Sequence, residues 1–169
     1  MKGCVWQPMT VDDLDGVDAV ARQTFPDHFE EPERFAERLA LGQKYCAVLR
    51  RPDGAVCGYL LAYPSSSGKI TALNAPIQPS TGGADAVYIS DLAILPEARG
   101  AGVTHAVIDR LVRLAREDGF RVVTLVAVNN STGFWVRHGF QVQERPDARK
   151  TLTSYGDDAR FMVRDLVLG

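Results

Sequence analysis

The sequence predicts an α/β domain built on a mixed β-sheet with helices on both faces, and two patterns carry that prediction. The first half holds two β-branched and aromatic runs, Tyr45 to Leu49 and Val56 to Tyr63, on either side of Arg50-Arg51-Pro52-Asp53-Gly54. Proline presets φ and glycine supplies positive φ, so Pro-Asp-Gly makes a tight turn between antiparallel strands. The second half reads strand, helix, strand over Val87 to Leu95, Val103 to Arg116 and Arg121 to Val128. The last of these runs is apolar and β-branched, as expected of a strand buried on both faces beside a parallel neighbour. The crossover of such a unit is right-handed. At 169 residues, 46% hydrophobic and 24% charged, one domain spanning 1–169 is expected. A chain of that size buries roughly 70% of its unfolded surface without a disulfide or metal staple.

The elements follow in order. Cys4 to Gln7 reads as a short strand. Thr10-Val11-Asp12-Asp13 places a capping residue and two carboxylates at a helix start, where they complement the dipole. Leu14, Val17, Val20 and Ala21 then recur at helical spacing until Pro26. A second helix begins at Glu31-Pro32, carries Phe35 and Leu39 on its apolar stripe and stops at Gly42. After the hairpin, Pro64 to Ala84 is a long loop containing Ser65-Ser66-Ser67-Gly68 and Gly82-Gly83. Loops of this length are functional lids or tolerated insertions, and both readings stand. Pro96 closes the central strand. Val107, Leu111 and Leu114 give the next helix its apolar face, Arg110, Arg113 and Arg116 its polar one, and Gly119 its end. A short helix over Ser131 to Arg137 and strands over Phe140 to Glu144 and Arg160 to Val167 complete the chain.

Composition excludes several function classes. A net charge of −2 offers no basic face for phosphate neutralisation, so no nucleic-acid partner is expected. No apolar run approaches the ~20 residues that span a bilayer. Met1 to Pro8 has one basic residue and no apolar core behind it, unlike a signal peptide. Cys4, Cys46 and Cys57 show no Cys-x-x-Cys spacing. They read as reduced thiols in a cytoplasmic protein, with no metal site.

The most informative stretch joins the central strand to its helix: Leu95-Pro96-Glu97-Ala98-Arg99-Gly100-Ala101-Gly102-Val103-Thr104. Two glycines ahead of a helix N-terminus let backbone N–H groups converge where the dipole is positive, a setting suited to phosphate. Arg99 can add a charge-assisted contact. Alone, the Gly-x-Gly is equally an ordinary turn. A dinucleotide fingerprint would need glycine at His105, and the Gly68-Lys69 pair has Ile70 and Tyr63 where a P-loop needs Ser or Thr and Gly. By contrast, Asp91-Leu92-Ala93-Ile94-x-Pro96-x-x-Arg99-Gly100-x-Gly102 resembles the acyl-CoA loop of the GNAT superfamily of N-acetyltransferases. Asn129-Asn130-Ser131-Thr132-Gly133-Phe134-Trp135-Val136-Arg137-His138-Gly139-Phe140 is similar to that family's helix of an aromatic pair, three residues and Gly-Phe. The two motifs stand in the family's order with the expected strand between them.

The resemblance implies a mixed, mostly antiparallel sheet splayed between its fourth and fifth strands, with acetyl-CoA in the cleft. The pyrophosphate would lie on the amides of Arg99, Gly100, Ala101, Gly102, Val103 and Thr104. Pantetheine would pair with the backbone of Leu92, Ala93 and Ile94, and Asn130 and Phe134 would border the cofactor. Thr104 departs from the small residue usual at the loop's close. The implied chemistry is direct attack of a primary amine, from a small molecule or a protein, on the thioester, with a base and an acid.

The usual acid is a tyrosine second in the aromatic pair. Here it is Trp135, which has no titratable proton. Tyr155 is the replacement candidate; its other reading is a turn aromatic covering the sheet. Asp91 is the candidate base, because a carboxylate within an apolar strand needs a reason; hydrogen bonding to loop amides is the alternative. His28, His105 and His138 stand isolated, with His105 in reach of a phosphate and His138 at the end of the short helix. Phe25 and Phe29 would wall the acceptor site or pack in the core, and Asp27 or Glu30 would attract an ammonium group. The runner-up is an acyl-CoA-binding sensor or inactive module, kept open by Trp135. A Ser or Cys hydrolase lacks its Gly-x-Ser-x-Gly elbow. The resemblance also allows a homodimer, for which the sequence marks no interface.

Overall fold

A computed structural model describes residues 3–78 and 83–167. Positions 79–82 of the expected long loop, Gly82 among them, lie outside the described residues. The strands are β1 (Val5–Pro8), β2 (Ala47–Arg50), β3 (Val56–Ser65), β4 (Ala86–Ile94), β5 (Val122–Ala127), β6 (Gln141–Val142) and β7 (Arg160–Asp165). The helices are α1 (Leu14–Thr24), α2 (Pro32–Gly42), α3 (Val103–Glu117), α4 (Thr132–Arg137) and α5 (Arg149–Thr153). Seven strands form one sheet in the order β1-β2-β3-β4-β5-β7-β6. Every neighbouring pair is antiparallel except β4 and β5, as the strand–helix–strand pattern predicts. Among the described residues, no helix is long and apolar enough to cross a membrane.

The sheet separates two apolar layers. On one face Val17, Val20 and Ala21 of α1 and Phe35 and Leu39 of α2 pack on Tyr59, Leu61 and Ala93. On the other, Val107, Ile108 and Leu111 of α3 pack on Val87, Ile89, Val123 and Leu125. The helical stripes read from the sequence are therefore the buried ones, each facing its own side of the sheet.

Two local differences have physical reasons. β6 is shorter than the run Phe140 to Glu144, because Phe140 is drawn into the core at 1% exposure and ring contact with Trp135. Helix α5 carries no buried residue and so no apolar period to reveal it. As expected, all three cysteines are free, with the Cys4 and Cys57 sulfurs 4.0 Å apart.

Gly42 ends α2 where the helix meets β3. A Cβ there would lie 1.9 Å from the Ala62 carbonyl oxygen and 2.8 Å from the Tyr63 Cα. Both obstacles are backbone of β3 where it pairs with β4, Ala62 opposite Ile89 and Tyr63 opposite Tyr88, so neither can move freely. Gly42→Ala is therefore expected to cost about 1–3 kcal/mol of overpacking. Thermal unfolding should register this as a fall of about 3–10 °C in Tm.

Candidate active site

The cleft begins with a defect in β4. Across β3, Leu61 faces Asp91 and Ala62 faces Ile89, leaving Ser90 as an extra residue. Such a bulge bends its strand and shifts side-chain parity by one. Val87 and Ile89 accordingly face the α3 layer, while Ala93 beyond the bulge faces the α1–α2 layer. Asp91 shares the parity of Ala93, and its Oδ2 accepts a hydrogen bond from Tyr59 on that same face at 3.3 Å. On the other edge, β4 pairs with β5 only from Ala86–Val122 to Ile89–Leu125. Past Ile89 the two strands part.

Leu95 N–H donates to Cys57 C=O at 2.9 Å. Antiparallel ladders alternate, so the backbone of Asp91 and Ala93 bonds to β3 while that of Leu92 and Ile94 faces the cleft. Arg99 Nε donates to the Ile94 carbonyl at 3.0 Å, tying the following loop to the strand end. In that loop Gly100, Ala101 and Gly102 have φ of 97°, 53° and 74°. Three successive left-handed residues turn their amides the same way, and glycine at two of them limits the strain. Among the described residues, the N–H groups of Gly100, Ala101, Gly102, Thr104 and His105 have no protein acceptor. They surround the N-terminus of α3, which Trp6 Nε1 anchors through the Val103 carbonyl at 2.8 Å. This concentrates donors and positive potential where a phosphate can bind.

A cavity of about 710 Å³ runs along the parted strands. Arg99, Thr104 and Phe134 line one end and Phe25, Leu73 and Tyr155 the other, with Asp91 and Leu92 between them. Beneath the second end lies a buried ionic pair. Arg38, 1% exposed, donates through Nη1 and Nη2 to the two carboxylate oxygens of Glu30 at 2.8 and 2.6 Å. Burial, assisted by the Glu30 carboxylate, pushes the Asp91 carboxyl up to about 7, against the opposing pull of Arg38 and the Tyr59 hydrogen bond. A carboxylate poised near neutrality is suited to taking a proton from an ammonium ion.

The family follows from comparison as well as from geometry. The model of the acetyltransferase (GNAT) family matches residues 14–140. The chain belongs to the GNAT acetyltransferase family. Solved structures share its fold. The loading GNATL domain of CurA from Lyngbya majuscula superposes with a TM-score of 0.77 at 13% identity, covering 99% of this chain and 100% of that one. Ard1 from Thermoplasma volcanium gives 0.71 at 19%, covering 96% and 97%. N-acetylglutamate synthase from Neisseria gonorrhoeae, crystallised with coenzyme A and N-acetyl-glutamate, gives 0.72 at 17%. It is a longer protein, of which this chain spans 36% while 98% of this chain is covered. Among curated proteins, no sequence matches significantly.

Several sequence-predicted residues meet around the cavity of this GNAT fold: Asp91, Leu92, Ala93, Ile94, Arg99, Thr104, Phe134 and Tyr155 all line it. Ala93 does so with its side chain, since the ladder commits its backbone to β3. Asn129, not Asn130, forms the wall near α4; the Asn130 amide donates to Asp158 at 2.8 Å. Trp135 is 7% exposed and packs edge-on against Phe134 and Phe140, a core residue that also contributes to the cavity wall. Glu30 is spent on Arg38 and on the Asn74 amide, so it is not a free partner for an ammonium group. Phe25 and Phe29 both line the cavity. His105 and His138 are not isolated, their rings lying 6.0 Å apart. Sequence reasoning missed Arg38, although its place one turn after Phe35 and beside Leu39 already set it on the apolar stripe.

The raised Asp91 carboxyl also sets a sign for stability. Between its ordinary value near 4 and its folded value of about 7, the folded state holds a proton that the unfolded chain has lost. Stability therefore falls as pH rises through that window. Asp91→Asn removes this contribution. The Tm of the variant relative to wild type is expected to climb from pH 4 to pH 7 and to level off above, as read by thermal unfolding across pH.

Proposed function

We propose that the protein is an acetyl-CoA-dependent N-acetyltransferase whose acceptor is a primary amine. The observation that carries this is the placement of Asp91, which the Ser90 bulge sets in one cavity with the open strand edge of Leu92 and Ile94 and the unpaired amides before α3. Acetyl-CoA supplies a thioester whose carbonyl carbon an amine can attack. The free amides of the Gly100–Gly102 loop would hold its pyrophosphate, and the cleft-facing groups of Leu92 and Ile94 would pair with its pantetheine amides.

Asp91 accepts the proton that the substrate ammonium must lose before its nitrogen can attack. As the new N–C bond forms the C–S bond breaks, the departing sulfur takes a proton from Tyr155, and the second proton shed by the acetylated nitrogen restores the Tyr155 phenol. The Tyr155 hydroxyl donates to the Thr71 carbonyl at 2.6 Å, so this bond must be exchanged during turnover. That commitment, with Trp135 packed in the core, supports the second reading, an acyl-CoA-binding module without turnover.

Thermal unfolding with acetyl-CoA tests cofactor binding first. Saturation at 100 times Kd is expected to add about 2.7 kcal/mol, a rise of about 5–10 °C. Gly102→Glu, which forces a side chain and a negative charge into a left-handed position, should remain folded and lose that rise. Kinetics then separate the two readings. Asp91→Asn is expected to lower kcat by about 100-fold or more and to remove the pH limb near 7. Tyr155→Phe should lower kcat with KM little changed. An unchanged rate removes Tyr155 as the acid, and cofactor binding without transfer to any amine favours the binding module.

A further inference from the structure

The acceptor end of the cavity differs in construction from the cofactor end, and that construction selects a class of amine. Three chain segments meet there: the α1–α2 linker, the loop after β3, and the turn after α5. Each is hydrogen-bonded to the other two. His28 Nε2–H donates to the Tyr155 carbonyl at 2.7 Å, joining linker and turn. The Leu73 amide donates to Ser154 Oγ at 3.0 Å, and the Tyr155 hydroxyl to Thr71 O, joining loop and turn. The Asn74 amide donates to Glu30 Oε2 and the Glu31 amide to Asn74 Oδ1, both at 2.8 Å, joining loop and linker. A polypeptide bound by strand addition needs unpaired backbone groups along its groove. Here the segments that would form such a groove are already paired with one another.

The charges narrow the class further. Asp18 is neutralised by Arg22 at 2.9 Å, and Glu30 by Arg38. Among the described residues, Asp91 is the cavity carboxylate with no cation bonded to it, so it is the place the acceptor end offers an ammonium group. Phe25, Phe29, Phe35, Leu73 and Ala21 give the wall an apolar, phenylalanine-rich side, beside the polar Thr24 and His28. Phe29 is 46% exposed at the rim, with the Arg22 guanidinium 5.0 Å from its ring centroid. The 710 Å³ cavity must also admit the thioester arm, so the acceptor body is confined to part of it.

Resting on the acetyltransferase reading, we infer that the acceptor is a small monoamine carrying an aromatic or comparably apolar body. Its ammonium sits at Asp91 and its ring between the phenylalanines, with Phe29 at the entrance setting specificity. Polyamines would bury a second charge without a partner, which is costly.

The test uses the full chain with acetyl-CoA, following CoA release with 2-phenylethylamine, spermidine, a peptide with a free N-terminus and a peptide with an internal lysine. The expected result is a kcat/KM for 2-phenylethylamine at least 100-fold above that of spermidine or either peptide. Phe29→Ala, a change at an exposed site, should raise the KM for 2-phenylethylamine by about 10-fold while the acetyl-CoA thermal shift stays intact. Preferential transfer to spermidine or to a peptide overturns the monoamine class and leaves the transferase reading standing. So does an unchanged KM in Phe29→Ala for the placement at the rim. A normal acetyl-CoA shift with no amine acetylated overturns the acceptor class in favour of a binding module, and loss of the shift itself overturns both readings.

Discussion

The structure turns on the point where the β4–β5 ladder stops, after Ile89 and Leu125. Parallel strands joined by a crossover helix ordinarily keep pairing to their ends, because each unpaired backbone group inside a protein costs free energy. Here Ser90 interrupts β4 with one extra residue while β3 continues to pair on the far edge as far as Ile94. The strand stays anchored on one side and bends on the other. That one bulge opens the cavity, exposes the backbone of Leu92 and Ile94 to it, and carries Asp91 from the α3 layer to the α1–α2 layer. Without it, the carboxylate would point into an apolar core with no partner.

Electrostatics beneath the cleft follow from the same economy of space. A buried ion pair is a weak source of net stability, because desolvation offsets most of the attraction, yet breaking one is costly. The Glu30–Arg38 pair is more consequential for what it does to its surroundings. Arg38 takes up the Glu30 charge through two hydrogen bonds, and Glu30 still accepts from the Asn74 amide. The pair thus fixes the long loop against α2 and leaves Asp91 to hold its charge in a desolvated place with a carboxylate nearby. The raised Asp91 carboxyl is the outcome. A group tuned for proton transfer is destabilising in its charged form, so the site carries a stability cost at neutral pH.

Much of the fold was legible because it rests on local periodicity. The stripes Val17–Val20–Ala21 and Val107–Leu111, the Pro-Asp-Gly turn and the apolar β5 each declared their element and its neighbour. The glycines of the cofactor loop were legible for a related reason: left-handed φ at Gly100 and Gly102 is a backbone demand, and backbone demands appear as residue types. The order β5-β7-β6 left no such mark, nor did α5, whose residues are all partly or fully exposed. The pairings of Arg38, His28 and Tyr59 were missed, although the apolar stripe of α2 already turned Arg38 inward, because nothing local names the partner of a buried polar side chain. Their partners Glu30, Tyr155 and Asp91 are respectively 8, 127 and 32 positions away, and pairings at that range are set by the tertiary fold.

The contrast between the two ends of the cavity has a consequence for how such a protein can change. At the cofactor end the groups offered are main-chain: the amides before α3 and the edge of β4. Their positions depend on φ, ψ and strand register, so most side-chain substitutions there leave recognition intact, whereas a change at a left-handed glycine removes it. At the acceptor end the bonds run from side chains to the main chain of other segments, as with Glu30 to Asn74, Ser154 to Leu73 and His28 to Tyr155. A single substitution can release one side of that three-way closure without disturbing the sheet. Substrate range can therefore shift by point changes in the α1–α2 linker or the β3–β4 loop while the cofactor grip stays constant. Both ends meet at Asp91, which the backbone positions and the side chains tune, so its proton affinity is sensitive to substitutions that leave its position unchanged.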